Sequence, residues 1–282
     1  MRFVRFTAEG SSRFGVVEGT EVRAFPARIS TLGAYLELPL AERAALATEP
    51  AGPLENIQLT APVNPRKNVF CVGRNYLGHA EEIARARGTA LTLPKVPTFF
   101  TKAPTAIAAP GATLHLSSAV SQGYDWEAEL AAVIGTRCRD VPESDALGVV
   151  FGYTCLNDVT ARDLQRDHGQ WFKGKSLDDT CPVGPWIVSA DEIGDPQTLD
   201  IGLRLDGVTK QSSNTSQMIF NVAQIIASLS RGMTLDPGDV IATGTPDGVG
   251  FARTPPEFLY DGAKMEVEIA KIGVLRNTVA LT

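Results

Sequence analysis

Tyr124-Asp125-Trp126-Glu127-Ala128-Glu129-Leu130-Ala131-Ala132-Val133-Ile134 carries two carboxylates into an otherwise apolar run. Read as a strand over 126–134, its period of two places Glu127 and Glu129 on one face, followed there by Ala131 and Val133. Trp126, Ala128, Leu130, Ala132 and Ile134 share the other face. A Glu-x-Glu pair on a strand is most often a solvated face, because an antiparallel sheet commonly shows one side to water. Here both faces turn apolar beyond Glu129, so the carboxylates point into the protein, where an anion needs a partner. A third carboxylate, Asp158, follows 29 residues after Glu129, at the end of the apolar run 149–157. A hard-metal site on Glu127, Glu129 and Asp158 is the leading expectation. Taken locally, Asp158 reads instead as a helix N-cap, with Thr160 competing for that role.

Working outward, most segments from Asn68 onward read as strands: 68–72, 97–101, 126–134, 149–157, 183–188, 199–205, 239–243, 264–270 and 273–281. Asp206-Gly207 marks a hairpin turn. The clearest helix is 218–230, where Ile219, Val222, Ala223, Ile226 and Leu229 recur at helical spacing and Gly232 can terminate it. Strands without regular βα alternation predict an α+β, mostly β protein with a mixed, largely antiparallel sheet rather than a Rossmann fold or TIM barrel. Upstream, 1–25 suggests a small β-meander, and 31–48 changes to a helical period that Pro39 interrupts. Pro50–Pro65 reads as a connection holding one strand at 57–61. The predicted organisation is a small N-terminal α+β domain, 1–64, and a main domain, 65–282.

Composition narrows the function. A net charge of -6 and a pI near 5.2, with no Lys/Arg cluster, argue against nucleic acid or an anionic lipid surface and for a small-molecule substrate. No apolar stretch approaches the roughly 20 residues needed to span a bilayer. The four cysteines are far apart and form no Cys-x-x-Cys pair, and Met1-Arg2-Phe3-Val4-Arg5-Phe6 lacks the apolar core of a signal peptide. Reduced thiols in a cytoplasmic protein are therefore expected. The three histidines form neither His-x-His nor His-Glu-x-x-His, which argues against zinc and leaves an oxygen-liganded metal open.

Gly169-Gln170-Trp171-Phe172-Lys173-Gly174-Lys175-Ser176 matches the phosphate-binding pattern G-x-x-x-x-G-K-[ST] letter for letter. Its context is wrong, because such a loop leaves a strand and opens a helix whose N-terminus faces phosphate. Residues 160–168 are polar and helix-like, and Trp171 and Phe172 would crowd the backbone around a phosphate. Lys175 reads either as a solvated lysine or, beside Gly174, Pro182 and Gly184, as part of a close-packed loop. Ala242-Thr243-Gly244-Thr245-Pro246-Asp247-Gly248-Val249-Gly250 contains a Pro-Asp-Gly turn. It also suits an anion nest, with Gly244 supplying unusual backbone angles and Thr243 and Thr245 supplying hydroxyls. In Gly73-Arg74-Asn75-Tyr76-Leu77-Gly78-His79-Ala80-Glu81-Glu82, His79 and Glu82 share a helical face if His79 starts a turn. Most such pairs are ordinary surface pairs, but this one follows a strand end within a segment rich in small residues that suits a lid.

Together these segments resemble the fumarylacetoacetate hydrolase family over about residues 68–280. The resemblance rests on Val72–Tyr76 with His79 and Glu82, Phe99-Phe100-Thr101-Lys102, Asp125–Leu130, and Asn157-Asp158-Val159-Thr160-Ala161-Arg162-Asp163. It continues in Lys173–Ser176 with Cys181-Pro182-Val183-Gly184-Pro185, and in Thr243–Gly250. It implies a mixed β-roll or barrel core of the family's C-terminal type, a smaller N-terminal domain and a homodimer. It also implies one Mg²⁺ or Mn²⁺ per chain on Glu127, Glu129 and Asp158. By the same resemblance Lys175 and Gln165 flank the reacting oxygens, Arg162 lies near the metal, and Gly244 and Thr245 meet the substrate carboxylate. Arg74, Tyr76 and Lys102 are expected as further substrate contacts, and His79 with Glu82 as the dyad that activates water. The N-terminal segment is far shorter than that of fumarylacetoacetate hydrolase itself, which argues against that enzyme. The expected activity is divalent-metal-dependent hydrolysis of a C–C bond in acylpyruvate-like 2,4-dioxo acids through an enolate held at the metal. Alternatives are an oxaloacetate-type decarboxylase or 2-oxoheptenedioate isomerase, a non-catalytic oxoacid-binding protein, and, least supported, a nucleotide hydrolase.

Overall fold

Strand Ala128–Ile134 is buried at every position, and its period of two sorts its side chains between two cores. In the computed structural model, which describes all 282 residues, Ala128, Leu130, Ala132 and Ile134 enter a cluster of 37 buried residues, while Ala131 and Val133 enter a second of 20. The strand is central because both of its faces are apolar, as the sequence pattern requires.

It lies inside a 12-stranded sheet. From one edge the order is Glu49–Pro53, Glu21–Ala24, Ser11–Glu18, Arg2–Ala8, Cys181–Ser189, Val150–Asn157, Ala128–Ile134, Val240–Ala242, Val69–Gly73 and Thr98–Lys102, with Gln58–Thr60 and Ile107–Ala108 attached at the side. A 5-stranded sheet in the order Val208–Asn214, Asp200–Leu205, Lys264–Ile269, Gly273–Leu281 and Thr113–Leu116 completes the architecture. Pairing is antiparallel except where Val240–Ala242 meets Val69–Gly73, Cys181–Ser189 meets Ile107–Ala108, and Gly273–Leu281 meets Thr113–Leu116. The expected mostly β, α+β architecture is therefore observed. Helices are short, the most apolar being Val222–Ser230, and no helix is long and apolar enough to cross a membrane.

Local chemistry shifts several boundaries. The helix expected over 218–230 begins at Val222 because Asn221 accepts from the Gln224 amide while the Gln224 side chain accepts from the Asn221 amide, a reciprocal cap. Pro39 does divide the N-terminal helical segment, into Leu32–Leu36 and Leu40–Ala44. Asp206-Gly207 joins Asp200–Leu205 to Val208–Asn214 as a hairpin. The strand expected over 126–134 starts only at Ala128, where it joins the large sheet, and a separate short strand, Tyr124–Asp125, pairs with Thr160–Ala161. Between them, three successive amides turn to side chains. Trp126 N–H donates to Asp125 Oδ1, Glu127 N–H to Asn157 Oδ1 and Ala128 N–H to Gln211 Oε1, at 2.8, 3.0 and 2.9 Å. Buried amides must be paired somewhere, and here side chains divert them from the ladder.

The N-terminal meander continues the large sheet rather than standing apart, with Arg2 opposite Val188 and Phe3 opposite Ile187. An aromatic cluster seals the junction: Phe3 meets Phe151 at a centroid distance of 4.8 Å, and Phe14 lies 5.9 Å from both Phe25 and Tyr35. Phe14 is fully buried. Phe14→Ala is expected to cost about 3–5 kcal/mol of stability, read as a lower midpoint in urea unfolding.

Candidate metal and active site

The break at Trp126-Glu127 and the end of strand Val150–Asn157 bring three carboxylates together. One ligand oxygen from each of Glu127, Glu129 and Asp158 lies within 4.8 Å of the others, and all three residues are buried. Asp158 caps no helix, contrary to the local expectation. The following helix, Arg162–Asp167, has Ala161 at its N-cap and no capping side chain, while the Asp158 carboxylate receives two buried ammonium groups. Lys102 Nζ donates to Oδ1 at 2.7 Å and Lys175 Nζ to Oδ2 at 2.6 Å. Lys175 also donates to Glu127 Oε2 at 2.8 Å, so it is a buried bridge between two carboxylates rather than a solvated lysine. Residues Phe172–Lys175 form one short helical turn that projects Lys175 into this cluster, not a loop around phosphate.

Arg162 completes the charge pattern. Its Nη2 lies 2.8 Å from Asp125 Oδ2 and 2.7 Å from Glu127 Oε1, and its guanidinium stacks 4.4 Å from the centroid of Phe251. Asp125 is itself fixed by the amides of Gly250 and Phe251, at 2.7 and 3.1 Å. Burial pushes the Glu127 pKa up, but Lys175 and Arg162 outweigh it and hold this carboxylate below the usual range. Glu129 goes the other way. Burial, then the charges of Asp158 and Glu127, push it well above the ordinary carboxylate value. Its contacting donor is the Gly244 amide at 2.7 Å rather than a cationic side chain.

That asymmetry tests whether a cation fits. Three buried oxygen donors sit together, two of them are balanced by ammonium or guanidinium groups, and the third has its pKa pushed up by burial and by the charges of the other two. A divalent cation among them would neutralise the excess negative charge, and a carboxylate-only donor set suits a hard ion such as Mg²⁺ or Mn²⁺. Glu127, Glu129 and Asp158 would hold it.

A cavity of 130 Å³ opens on the cluster, lined by Val72, Gly73, Arg74, His79, Ile83, Arg87, Phe100, Glu127, Glu129, Arg162, Gln165, Trp171, Lys175, Thr245 and Phe251. His79 and Glu82 lie in the first turns of helix Leu77–Arg87. His79 Nδ1 is 2.7 Å from Glu82 Oε1, and Glu82 Oε2 accepts from the Gly248 amide at 2.8 Å. Both are buried, so the pair is no surface ion pair, and Nε2 is the imidazole nitrogen left free. Of the expected site residues, Arg74, His79, Gln165, Arg162, Lys175, Thr245, Glu127 and Glu129 share this cavity, and Glu82 supports it from behind. Lys102, Tyr76, Gly244 and Asp158 are not in its wall. Lys102 is consumed by Asp158 and the Val159 carbonyl, and the Gly244 amide by Glu129. The Tyr76 hydroxyl is buried without a partner, its pKa raised by burial and by Glu129. Gly244 has φ +98°, and a Cβ there would lie 2.7 Å from the Asn75 Cβ, so glycine is required at this crossing.

The sequence reading missed Arg87, Ile83, Trp171 and Phe251 in the wall. Trp171 was visible only as an obstruction to phosphate binding, and in fact it packs edge-on to Phe100, 5.3 Å away, with the Arg74 guanidinium 5.8 Å from its ring. Arg87 and Phe251 carry no local signal, because long-range packing delivers them.

The chain belongs to the fumarylacetoacetate hydrolase family. The family model described as fumarylacetoacetate (FAA) hydrolase C-terminal matches residues 68–280, and one described as Rv2993c-like, N-terminal matches residues 1–62. Over 227 residues the chain is 44% identical to oxaloacetate tautomerase YisK of Bacillus subtilis, covering 80% of this chain and 74% of that protein. Over 294 residues it is 40% identical to the mitochondrial oxaloacetate tautomerase FAHD2A of Bos taurus, covering 99% of this chain and 91% of that one. A solved fumarylacetoacetate hydrolase from psychrophilic Exiguobacterium antarcticum superposes over 100% of both chains with a TM-score of 0.85 at 39% identity.

Glu129→Gln removes the charge with little change of volume and imitates the protonated carboxyl. Mn²⁺ affinity in titration calorimetry is expected to fall by more than the ~10–100-fold that loss of an outer partner costs a metal site, while the metal-free unfolding midpoint stays put. Unchanged Mn²⁺ affinity would remove Glu129 from the ligand set.

Proposed function

We propose that this protein interconverts the keto and enol forms of a short 2-oxo dicarboxylic acid such as oxaloacetate. The observation that carries the reading is the buried imidazole of His79, held by Glu82, on the wall of a small cavity that Lys175, Glu127 and Glu129 also line. A cavity of 130 Å³ lies well under the ~300–1,000 Å³ of drug-sized sites, which favours a compact acid over a bulky one. The two curated relatives described above are oxaloacetate tautomerases, which supports the same choice.

In the keto-to-enol direction a C3–H bond breaks and its electron pair becomes the C2=C3 double bond. The proton goes to His79 Nε2, the nitrogen left free by Glu82. Glu82 holds the ring and balances the imidazolium. Lys175 offers its ammonium to the C2 oxygen, where negative charge grows. The imidazolium then returns a proton to that oxygen, directly or through solvent, and the enol is complete. Arg74 and the Thr245 hydroxyl receive the substrate's carboxylate, and Trp171, Phe100 and Phe251 exclude water. A divalent ion on Glu127, Glu129 and Asp158 supplies neutralisation of the charge on the 2-oxo acid.

Hydrolysis of an acylpyruvate-like C–C bond is the second reading. The same dyad can activate water, and the solved structure described above is of a fumarylacetoacetate hydrolase.

Oxaloacetate, acylpyruvate and fumarylpyruvate, assayed with Mg²⁺ and Mn²⁺, separate the two. Enol–keto relaxation of oxaloacetate is expected to be the fastest reaction, and pyruvate release from acylpyruvate without accelerated relaxation overturns the proposal. His79→Ala is expected to slow the reaction by about 10²–10⁴-fold with Mn²⁺ affinity retained. Lys175→Met is expected to lower kcat by about 10²-fold or more; a change confined to KM would make Lys175 a binding group only.

A further inference from the structure

Gln211, on strand Val208–Asn214 of the smaller sheet, is buried, and its amide joins two parts of the site that come from distant sequence. Its Oε1 accepts from the Ala128 amide, between Glu127 and Glu129, at 2.9 Å. Its Nε2 donates to Thr245 Oγ1 and to the Pro246 carbonyl, each at 2.8 Å. The orientation of this amide is not interchangeable. A backbone N–H on one side demands oxygen and a backbone carbonyl on the other demands nitrogen. The Thr245 hydroxyl, caught beside the same nitrogen, must therefore act as acceptor toward Gln211, and its own proton is free to turn elsewhere.

Thr245 lines the cavity, where a bound carboxylate could accept that proton. The surrounding backbone leaves little freedom to relax. Gly248 has φ +101°, and a Cβ there would lie 2.1 Å from the Lys210 carbonyl oxygen, so the loop after Thr245 is pressed onto the strand that carries Gln211. We infer that Gln211 is a positioning residue: it polarises the Thr245 hydroxyl into a hydrogen-bond donor for a substrate carboxylate and ties that donor to the Glu127-Ala128-Glu129 segment. This rests on the proposed reading in which Thr245 meets a carboxylate of a 2-oxo acid.

Gln211→Glu is nearly isosteric and keeps the acceptor for Ala128 N–H, but a carboxylate in place of the NH₂ takes the Thr245 proton instead of leaving it for the ligand. Calorimetric titration of the Mn²⁺-loaded protein with oxalate, a dicarboxylate small enough for the cavity, is expected to show about tenfold or more weaker binding, the scale of mispairing one buried polar group. Thr245→Val should weaken oxalate similarly, and Gln211→Glu added to Thr245→Val should cost nothing further, since the hydroxyl it acts through is gone. Equal losses in both backgrounds, as simple charge repulsion or general loosening would give, overturn the inference. So does unchanged oxalate affinity in Gln211→Glu when Thr245→Val weakens it. Unchanged affinity in Thr245→Val itself would instead remove the carboxylate role of Thr245 and leave the contacts of Gln211 purely structural. Gln211→Met removes the donor without adding charge and serves the same cycle if the glutamate variant fails to fold. It should also weaken Mn²⁺ binding, which Gln211→Glu should not, because only the methionine variant unties Ala128.

Discussion

The placement of like charges in a dry interior constrains everything else in this protein. Glu127, Glu129 and Asp158 converge among buried side chains, where solvent screening is weak, and unpaired buried carboxylates are among the most costly groups a fold can contain. Lys102, Lys175 and Arg162 meet that cost for two of the three. Each cation is held by a different element, so the strand ending at Lys102, the turn ending at Lys175 and the helix starting at Arg162 are locked around one point. The site is thus the place where the layers of the fold are joined. Glu129 has only a backbone amide as its donor, so it is the carboxylate whose charge a divalent ion would most directly neutralise.

The same logic explains the irregularity at the centre of the large sheet. A continuous strand through Trp126 and Glu127 would commit their amides to a neighbouring strand and hold Glu127 in the pleat. Asp125 and Asn157 accept those amides instead, and Gln211 accepts that of Ala128, so the chain can bend while each of the three amides stays paired. Each acceptor has a second duty: Asp125 binds Arg162, Asn157 precedes Asp158, and Gln211 holds Thr245. Local disruption of the ladder and assembly of the site are one event.

How the carboxylates relate to the His79–Glu82 pair follows from the loop after strand Val240–Ala242. Gly244 binds Glu129, Thr245 faces the cavity, and Gly248 holds Glu82. A single turn therefore contacts both halves of the site. Shifts of that turn would move Glu129 and the support of His79 together, so the two groups are mechanically coupled through one loop.

Much of this was legible before any coordinates. The two-sided apolar pattern after Glu129 placed its strand inside the protein, because residues alternate strictly across a sheet and neither face could meet water. The order of the motifs pointed to the family, and the three carboxylates were singled out as a set. Other features were decided only in three dimensions. Local rules made Asp158 a helix cap and left Lys175 open to solvent, since nothing within a few residues of either reveals the other. Lys102 and Gly244 were expected against substrate but spend their polar groups on Asp158 and Glu129. Gln211, Arg87 and Phe251 had no signal at all. Periodicity is a property of neighbours along the chain, so sequence determined which segments are strands and which faces are buried. Charge compensation and cavity shape are properties of groups tens of residues apart, and tertiary packing alone decided which lysine meets which carboxylate and which side chains line the cavity.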